Sequence, residues 1–332
     1  MKKILSISLV LTALLLPVIT SNNINAEELY VASSSDEVLR FEGTTGSFID
    51  AFVPESGGLK SPAGLVFGPD GNLYVSSSSS DEVRRYNGLT GKLIDIFVTA
   101  NSGGLNIPQG LIFGSDGNLY VSSTATSQVL RYNGTTGAFM DVFVSDGDLD
   151  FPQGLVFGPD GNLYVSEREN DTVLKFNGTT GEFIEDFVSA ADGGLDFPFR
   201  FVFGPDGDLY VSSTNTDEVL RYDGTTGEFI EDFVSAADGG LNAPLGLVFG
   251  PDGNLYVTSR DNQNILKYNG TTGDFINIFV PVGIGGPFDL VFFRPEILSS
   301  PIPTLSEWGL IALAGVLGIV GFMVIRRRKV TA

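Results

Sequence analysis

The sequence contains no cysteine and no histidine. Without cysteine there is no disulfide framework, no thiolate nucleophile and no Cys-ligated zinc. Without histidine the chain loses the commonest general base, the commonest transition-metal ligand and every Ser-His or Cys-His dyad. Positive charge is scarce too: 19 lysines and arginines stand against 40 acidic residues. The two ends disguise how acidic the body is. Lys2 and Lys3 lie in the first 26 residues, and Arg326, Arg327, Arg328 and Lys329 follow the lone acid Glu307 near the other end. Setting these aside leaves 13 basic residues against 39 acidic ones, a formal charge of −26. A surface this negative repels phosphate backbones and anionic lipid, which argues against nucleic acid as a partner. Cations, neutral glycans and basic protein surfaces remain.

Both ends read as addresses. Met1-Lys2-Lys3 precedes an apolar run from Ile4 to Ile19, then polar Thr20 to Asn25 and Ala26. This is the three-region layout of a secretory signal peptide, with cleavage expected after Ala26; an uncleaved anchor is the alternative. At the other end, Ile302-Pro303-Thr304-Leu305-Ser306-Glu307-Trp308-Gly309 precedes an uncharged apolar stretch from Leu310 to Ile325 and the basic cluster Arg326 to Lys329. Its 16 residues sit near the short limit for a membrane helix. The basic cluster would stay in the cytoplasm, leaving the body outside. The motif, span and basic end together resemble the IPTL-type C-terminal sorting signals of bacteria, relatives of the PEP-type tails that exosortases process. The resemblance implies recognition of Ile302, Pro303, Thr304, Leu305, Trp308 and Gly309 by a transpeptidase-like membrane enzyme. An ordinary tail anchor explains the span and charges but not the octapeptide.

Between the ends one unit recurs. Leu-Tyr-Val begins at Leu29, Leu73, Leu119, Leu163, Leu209 and Leu255, at intervals of 44 or 46 residues. Each full unit holds four short apolar runs, with none of the length or 3.6-residue period of a helix. Asp-Gly separates the first two runs and, in most units, Asn-Gly the last two, and both dipeptides favour tight hairpins. Four antiparallel strands per unit, repeated radially, describe propeller blades. The first unit lacks its Gly-Leu-Val-Phe strand, and after the last unit comes Gly286-Pro287-Phe288-Asp289-Leu290-Val291-Phe292. The spacing therefore predicts an all-β, six-bladed β-propeller with 1+3 closure, in which the C-terminal strand completes blade one. The expected layout is a signal peptide over 1–26, the propeller over 27–293 and a linker over 294–301. The sorting motif follows over 302–309, a transmembrane helix over 310–325 and a basic cytoplasmic tail over 326–332.

The blade motif, Pro-x-Gly-Leu-Val-Phe-Gly-Pro-Asp-Gly-Asn-Leu-Tyr-Val, resembles the NHL repeat over roughly residues 29–293. That family consists mostly of binding scaffolds for protein, glycan or RNA. Similar propellers include gluconolactonase-like enzymes, which hold a divalent metal in the central channel, and streptogramin lyases, which depend on the histidine this chain lacks.

Departures from the repeat mark candidate site residues. Two positions past each blade proline stand Gly64, Gly110, Gly154 and Gly246, but Arg200 and Asp289 in the other two blades. After Leu-Tyr-Val two blades carry Glu167-Arg168-Glu169 and Arg260-Asp261. These predict a ligand pocket at the channel mouth built from Glu167, Arg200, Arg260, Asp261 and Asp289, with Gln109 and Gln153 nearby. Alternatively Arg200 and Asp289 pair and close the channel, and the rest are solvated rim charges. The inner strands offer a metal only one carboxylate, Asp289. Asp146-Gly147-Asp148-Leu149-Asp150 has calcium-loop spacing, yet Phe151 stands where an EF-hand needs Gly and Phe157 where it needs Glu. No cofactor is expected, calcium being the one candidate. The expected function is an exported, envelope-sorted, non-catalytic scaffold binding a glycan, matrix or protein partner. The alternative is a divalent-metal-dependent, gluconolactonase-like hydrolase or lyase.

Overall fold

The computed structural model describes residues 27–295 apart from 146–148, 191 and 237. The expected export signal, sorting motif, membrane span and basic tail, with Asp146 and Asp148 of the calcium-like loop, lie outside the described residues. Among those described, no helix is long and apolar enough to cross a membrane.

The strands form six four-stranded antiparallel sheets. Blade two is typical: Pro62–Phe67 lies innermost, followed outward by Leu73–Ser77, Glu82–Tyr86 and Leu93–Val98. Blades three to six begin at Pro108, Pro152, Pro198 and Pro244 and repeat this order. Blade one is assembled from both ends of the ring. Its inner strand Pro287–Phe293 pairs with Glu28–Ser33, so Leu29 faces Phe292 and Val31 faces Leu290. The 1+3 closure read from the two half-units is present in the sheet order.

The core lies between the blades. Each of six apolar clusters draws its residues from two adjacent blades: Leu65, Leu73 and Val75 of blade two pack with Tyr30, Val38 and Phe52 of blade one. Within each seam a buried tyrosine meets two phenylalanines edge-on, as Tyr74 does Phe97 of its own blade and Phe113 of the next, both at 4.9 Å. Edge-to-face pairs add to the area they bury. A serine on the second strand then ties blade to blade. Ser76 Oγ donates to the Gln109 carbonyl at 2.7 Å, and Ser122, Ser166 and Ser212 repeat the bond to the blade that follows each.

Every blade also sets one cation over this aromatic layer. Arg85 lies 5.0 Å from the Phe97 ring centre, between Asp95 at 2.6 Å and Asp70 at 3.7 Å. Arg40, Arg131, Lys175, Arg221 and Lys267 occupy the same position. The hairpin aspartates do double duty. Asp252 Oδ1 accepts the Asn254 N–H at 3.1 Å, which shapes the turn around Gly253 at φ +75°, and Oδ2 accepts the Tyr256 hydroxyl. Partial burial works against its charge, but Lys267, Asn254 and Tyr256 outweigh that and hold its carboxyl down at about 2. The same bonds keep Asp116 and Asp160 low.

A carboxyl depressed in the fold stabilises it above the ordinary carboxylate range, and that contribution disappears as pH falls through the folded value. Asp252→Asn is therefore expected to lower the urea midpoint at neutral pH. The deficit should shrink between about pH 4 and about 2, the two curves merging in acid. A deficit that stays constant across this range would contradict the assignment.

Candidate binding face and central channel

Because the strands alternate in direction, the loops into each inner strand and those after each second strand share one face, called here the loop face. Arg200 leaves the inner strand of blade five near this face and crosses the channel. Its Nε meets Asp289 Oδ2 of blade one at 3.2 Å, and its Nη2 donates to the Ala63 carbonyl of blade two at 3.0 Å. Its guanidinium also lies 4.9 Å from the centre of the neighbouring Phe199 ring. One side chain thus bridges three blades. Gly64 makes room for it, since a Cβ there would stand 3.2 Å from Nη2 and collide with the Gln109 carbonyl. Burial pushes the Asp289 carboxyl up, opposed by the Arg200 charge and the Leu290 N–H. The pair is largely buried, with the Asp289 side chain 16 % exposed, and it is not saturated: Arg200 Nη1 and Gln109 Oε1 are buried without partners. Buried unpaired polar atoms in a native fold call for an explanation, and a ligand group is one.

The other three expected site residues are not bonded to this pair. Glu167, 1 % exposed, stands where the five other blades have serine. Ser77 Oγ accepts the Lys60 N–H at 2.9 Å; Glu167 Oε1 accepts the Asp150 N–H at 2.6 Å in the same way. Asn170 and Thr172 complete its bonds. The carboxylate brackets a loop, and burial raises its pKa. Arg260 and Asp261 pair with each other at 2.9 Å on the exposed rim. Gln153 is buried and donates to the Phe151 carbonyl. Among the described residues no group of three or more acidic, His or Cys side chains could hold a metal ion.

The loop face holds a second feature, absent from the sequence expectations. In blades two to six the residue before the blade proline has positive φ: Ser61, Ile107, Phe151, Phe197 and Ala243, at +48° to +59°. For bulky or β-branched residues this region is strained. The strain is held by the preceding blade, where Asp81 Oδ1 accepts the Ile107 N–H and Asp171 Oδ1 the Phe197 N–H, each at 2.7 Å. Ile107 is 42 % and Phe151 36 % exposed. Arg168 lies between two rings, its guanidinium 5.0 Å from Phe151 and 4.9 Å from Phe197. Strained, exposed apolar groups beside a channel mouth are a binding-site signature. The only sequence trace was an apolar residue in an exposed loop ahead of proline, where an extended backbone is the usual expectation.

Comparison with known proteins bears on the ends and the fold. Residues 300–329 match the IPTL-CTERM motif. That match establishes an envelope-sorting signal in the tail. No curated protein matches the chain. Among solved structures, a chain of a nidogen/laminin complex aligns with a TM-score of 0.65 at 16% identity, covering 81% of this chain and 99% of its own. A Bacteroides caccae protein of unknown function aligns at 0.64 and 15% identity, with the same coverage. Virginiamycin B lyase from Staphylococcus aureus aligns at 0.54 and 16% identity, covering 81% of each chain. At these identities the likeness is one of fold.

Removing one partner of a buried ion pair costs about 3–5 kcal/mol, whereas replacing both by apolar groups is often neutral. Arg200→Met is expected to fall in that range by chemical denaturation, and Arg200→Met with Asp289→Leu to recover most of it. Equal loss in the single and double variants would show that Arg200 acts through packing alone.

Proposed function

We propose that the chain is an exported, envelope-sorted, non-catalytic scaffold whose loop face binds a glycan, a matrix component or another protein. The observation that carries this reading is the state of the channel. The inner strands bring one carboxylate to it, and Arg200 binds that carboxylate, so the oxygen ligands a hard cation needs do not converge there. The binding groups then lie on the rim, where Ile107 and Phe151 are exposed on a preset backbone beside the half-buried Arg168 stack. The IPTL-CTERM match supports display at the envelope. The N-terminal pattern supports export, with the signal over 1–26 and the membrane helix over 310–325 read from sequence. The acidic body favours neutral or basic partners over nucleic acid.

Two experiments test the reading. Glycine at 107 and 151 relieves a left-handed backbone that costs about 1–2 kcal/mol per bulky residue, offset in part by glycine's own freedom. The double variant Ile107→Gly, Phe151→Gly is expected to be at least as stable as the parent. It should bind isolated cell envelopes about tenfold more weakly, since losing two apolar contacts exceeds the 1.4 kcal/mol that tenfold requires. Unchanged binding by a stable variant would remove these residues from the site. Calorimetric titration with calcium supplies the second test. A saturable stoichiometric site abolished by Asp289→Ala would displace the scaffold reading in favour of a metal-dependent hydrolase or lyase.

A further inference from the structure

In blades two, three, four and six the turn between the third and fourth strands is built on Asn-Gly: Asn87-Gly88, Asn133-Gly134, Asn177-Gly178 and Asn269-Gly270. The dipeptide suits a tight turn, but asparagine is thermolabile, most of all before glycine. The glycine nitrogen gives up its proton and attacks the asparagine Cγ, and ammonia leaves from Nδ2. Water then opens the succinimide ring at either carbonyl, giving aspartate or isoaspartate. Glycine eases the attack because it has no Cβ and moves freely. These four steps are therefore candidate sites of covalent change, and the structure shows what governs them.

Both reacting groups are held away from each other. Asn87 Oδ1 accepts the Leu89 and Thr90 N–H groups at 3.1 and 3.0 Å and the Thr90 hydroxyl at 2.9 Å. These bonds fix the side-chain amide over the residues that follow it. The attacking nitrogen is engaged elsewhere: the Gly88 N–H donates to Asn72 Oδ1 on the neighbouring hairpin at 3.3 Å. Gly88 also lies directly against the main chain of that hairpin, where a Cβ would collide with the Gly71 carbonyl. Asn133, Asn177 and Asn269 accept the same pair of N–H groups. Their glycines donate to Asn118, Asn162 and Asn254 at 3.3 to 3.4 Å.

We propose that the four Asn-Gly steps are deamidation sites gated by the fold, reacting only when their turn opens locally. Modification would then record openings of the outer hairpins rather than age alone. Blade five shows what the aspartate product does. There Asp223 takes the place of asparagine, its Oδ1 accepts the Thr225 and Thr226 N–H groups at 2.9 Å, and Gly224 still donates to Asp208. Those backbone bonds hold the Asp223 carboxyl below its usual range. The turn uses the side-chain oxygen, so exchanging the amide nitrogen for oxygen leaves its bonds in place. Isoaspartate adds a methylene to the main chain, and the contact between Gly88 and Gly71 leaves no slack for it. Nothing in this gating depends on what the loop face binds.

The test incubates the full chain in mildly alkaline buffer with detergent, folded or unfolded in urea, and follows each site by peptide mass mapping. The four sites should react at least about tenfold more slowly in the folded chain, for which about 1.4 kcal/mol of opening free energy suffices. Asn72→Ala removes the acceptor of the Gly88 N–H and should speed reaction at Asn87 severalfold, with Asn133, Asn177 and Asn269 as internal controls. Thr90→Val, which removes only the hydroxyl bond to Asn87, should act in the same direction and cannot unfold the ring by freeing a buried group. Asn87→Asp should leave the urea midpoint unchanged. Equal rates in the folded and unfolded chain would overturn the proposal. So would Asn87 keeping pace with the three controls in both variants, or a lowered midpoint in Asn87→Asp.

Discussion

A four-stranded blade cannot bury its own apolar faces, and everything in this fold follows from that. Val31, Val75 and their counterparts sit in clusters shared by two blades, so a blade without both neighbours has an open core. Only a closed ring satisfies all six. The inner strand Pro287–Phe293 is therefore the structural condition for blade one, and through it for its neighbours. The polar devices serve the same demand. The Ser76-type bonds and the Asp81-type bonds both run from one blade to the next, so they exist only when the seam is made. Arg200 extends the logic across the axis, joining blades five, one and two.

This explains what could be read beforehand. Strand identity, turn chemistry and closure are local or periodic properties, and the Leu-Tyr-Val spacing with its two half-units carried them. The pairing of Arg200 with Asp289 was also legible, because both break a glycine column. Other features depend on register across strands, which a repeat does not display. The cation of each blade looked like ordinary surface charge until Arg85 fell between Asp70 and Asp95 and above Phe97. The bonds of Glu167 were hidden for a related reason. A carboxylate amid serines suggests a ligand, yet the backbone there presents a donor, the Asp150 N–H, that serine and glutamate both accept. The left-handed backbone at Ile107, Phe151 and Phe197 contradicts every local preference, since Asp81 and Asp171 of the preceding blades impose it on two of them.

The ring is not six-fold in its chemistry. At four seams a turn containing Gly-Gly fills the outer groove, and a tyrosine of the next blade donates to its backbone: Tyr86 to Gly57, Tyr132 to Ser102, Tyr222 to Asp192 and Tyr268 to Asp238. The remaining seams precede blades one and four. There the connection from the last valine to the blade proline is shorter, Val280 to Pro287 and Val144 to Pro152 against Val98 to Pro108. At the same two seams the tyrosine is replaced by Phe41 and Phe176, and the bridging aspartate by Gln263 and Ser127.

These changes belong together physically. A tyrosine hydroxyl buried at a seam without its turn would lose its acceptor, and an unpaired buried hydroxyl costs on the order of 1–3 kcal/mol. Phenylalanine fills the same volume and removes the hydroxyl with the need for it. Shortening the loop therefore demands the ring substitution; at blade one it also leaves Phe48 61 % exposed, whereas Phe183 at the other short seam stays packed on its cluster. At blade three the Gly103 turn lies against Phe139, and at blade six the Gly239 turn lies against Phe275. At blade one no such turn covers Phe48, which accounts for its exposure. The exposed apolar patch at Phe48 is thus no accident of drift. It follows from one shortened connection, compensated inside the seam by Phe41 and left uncompensated outside it.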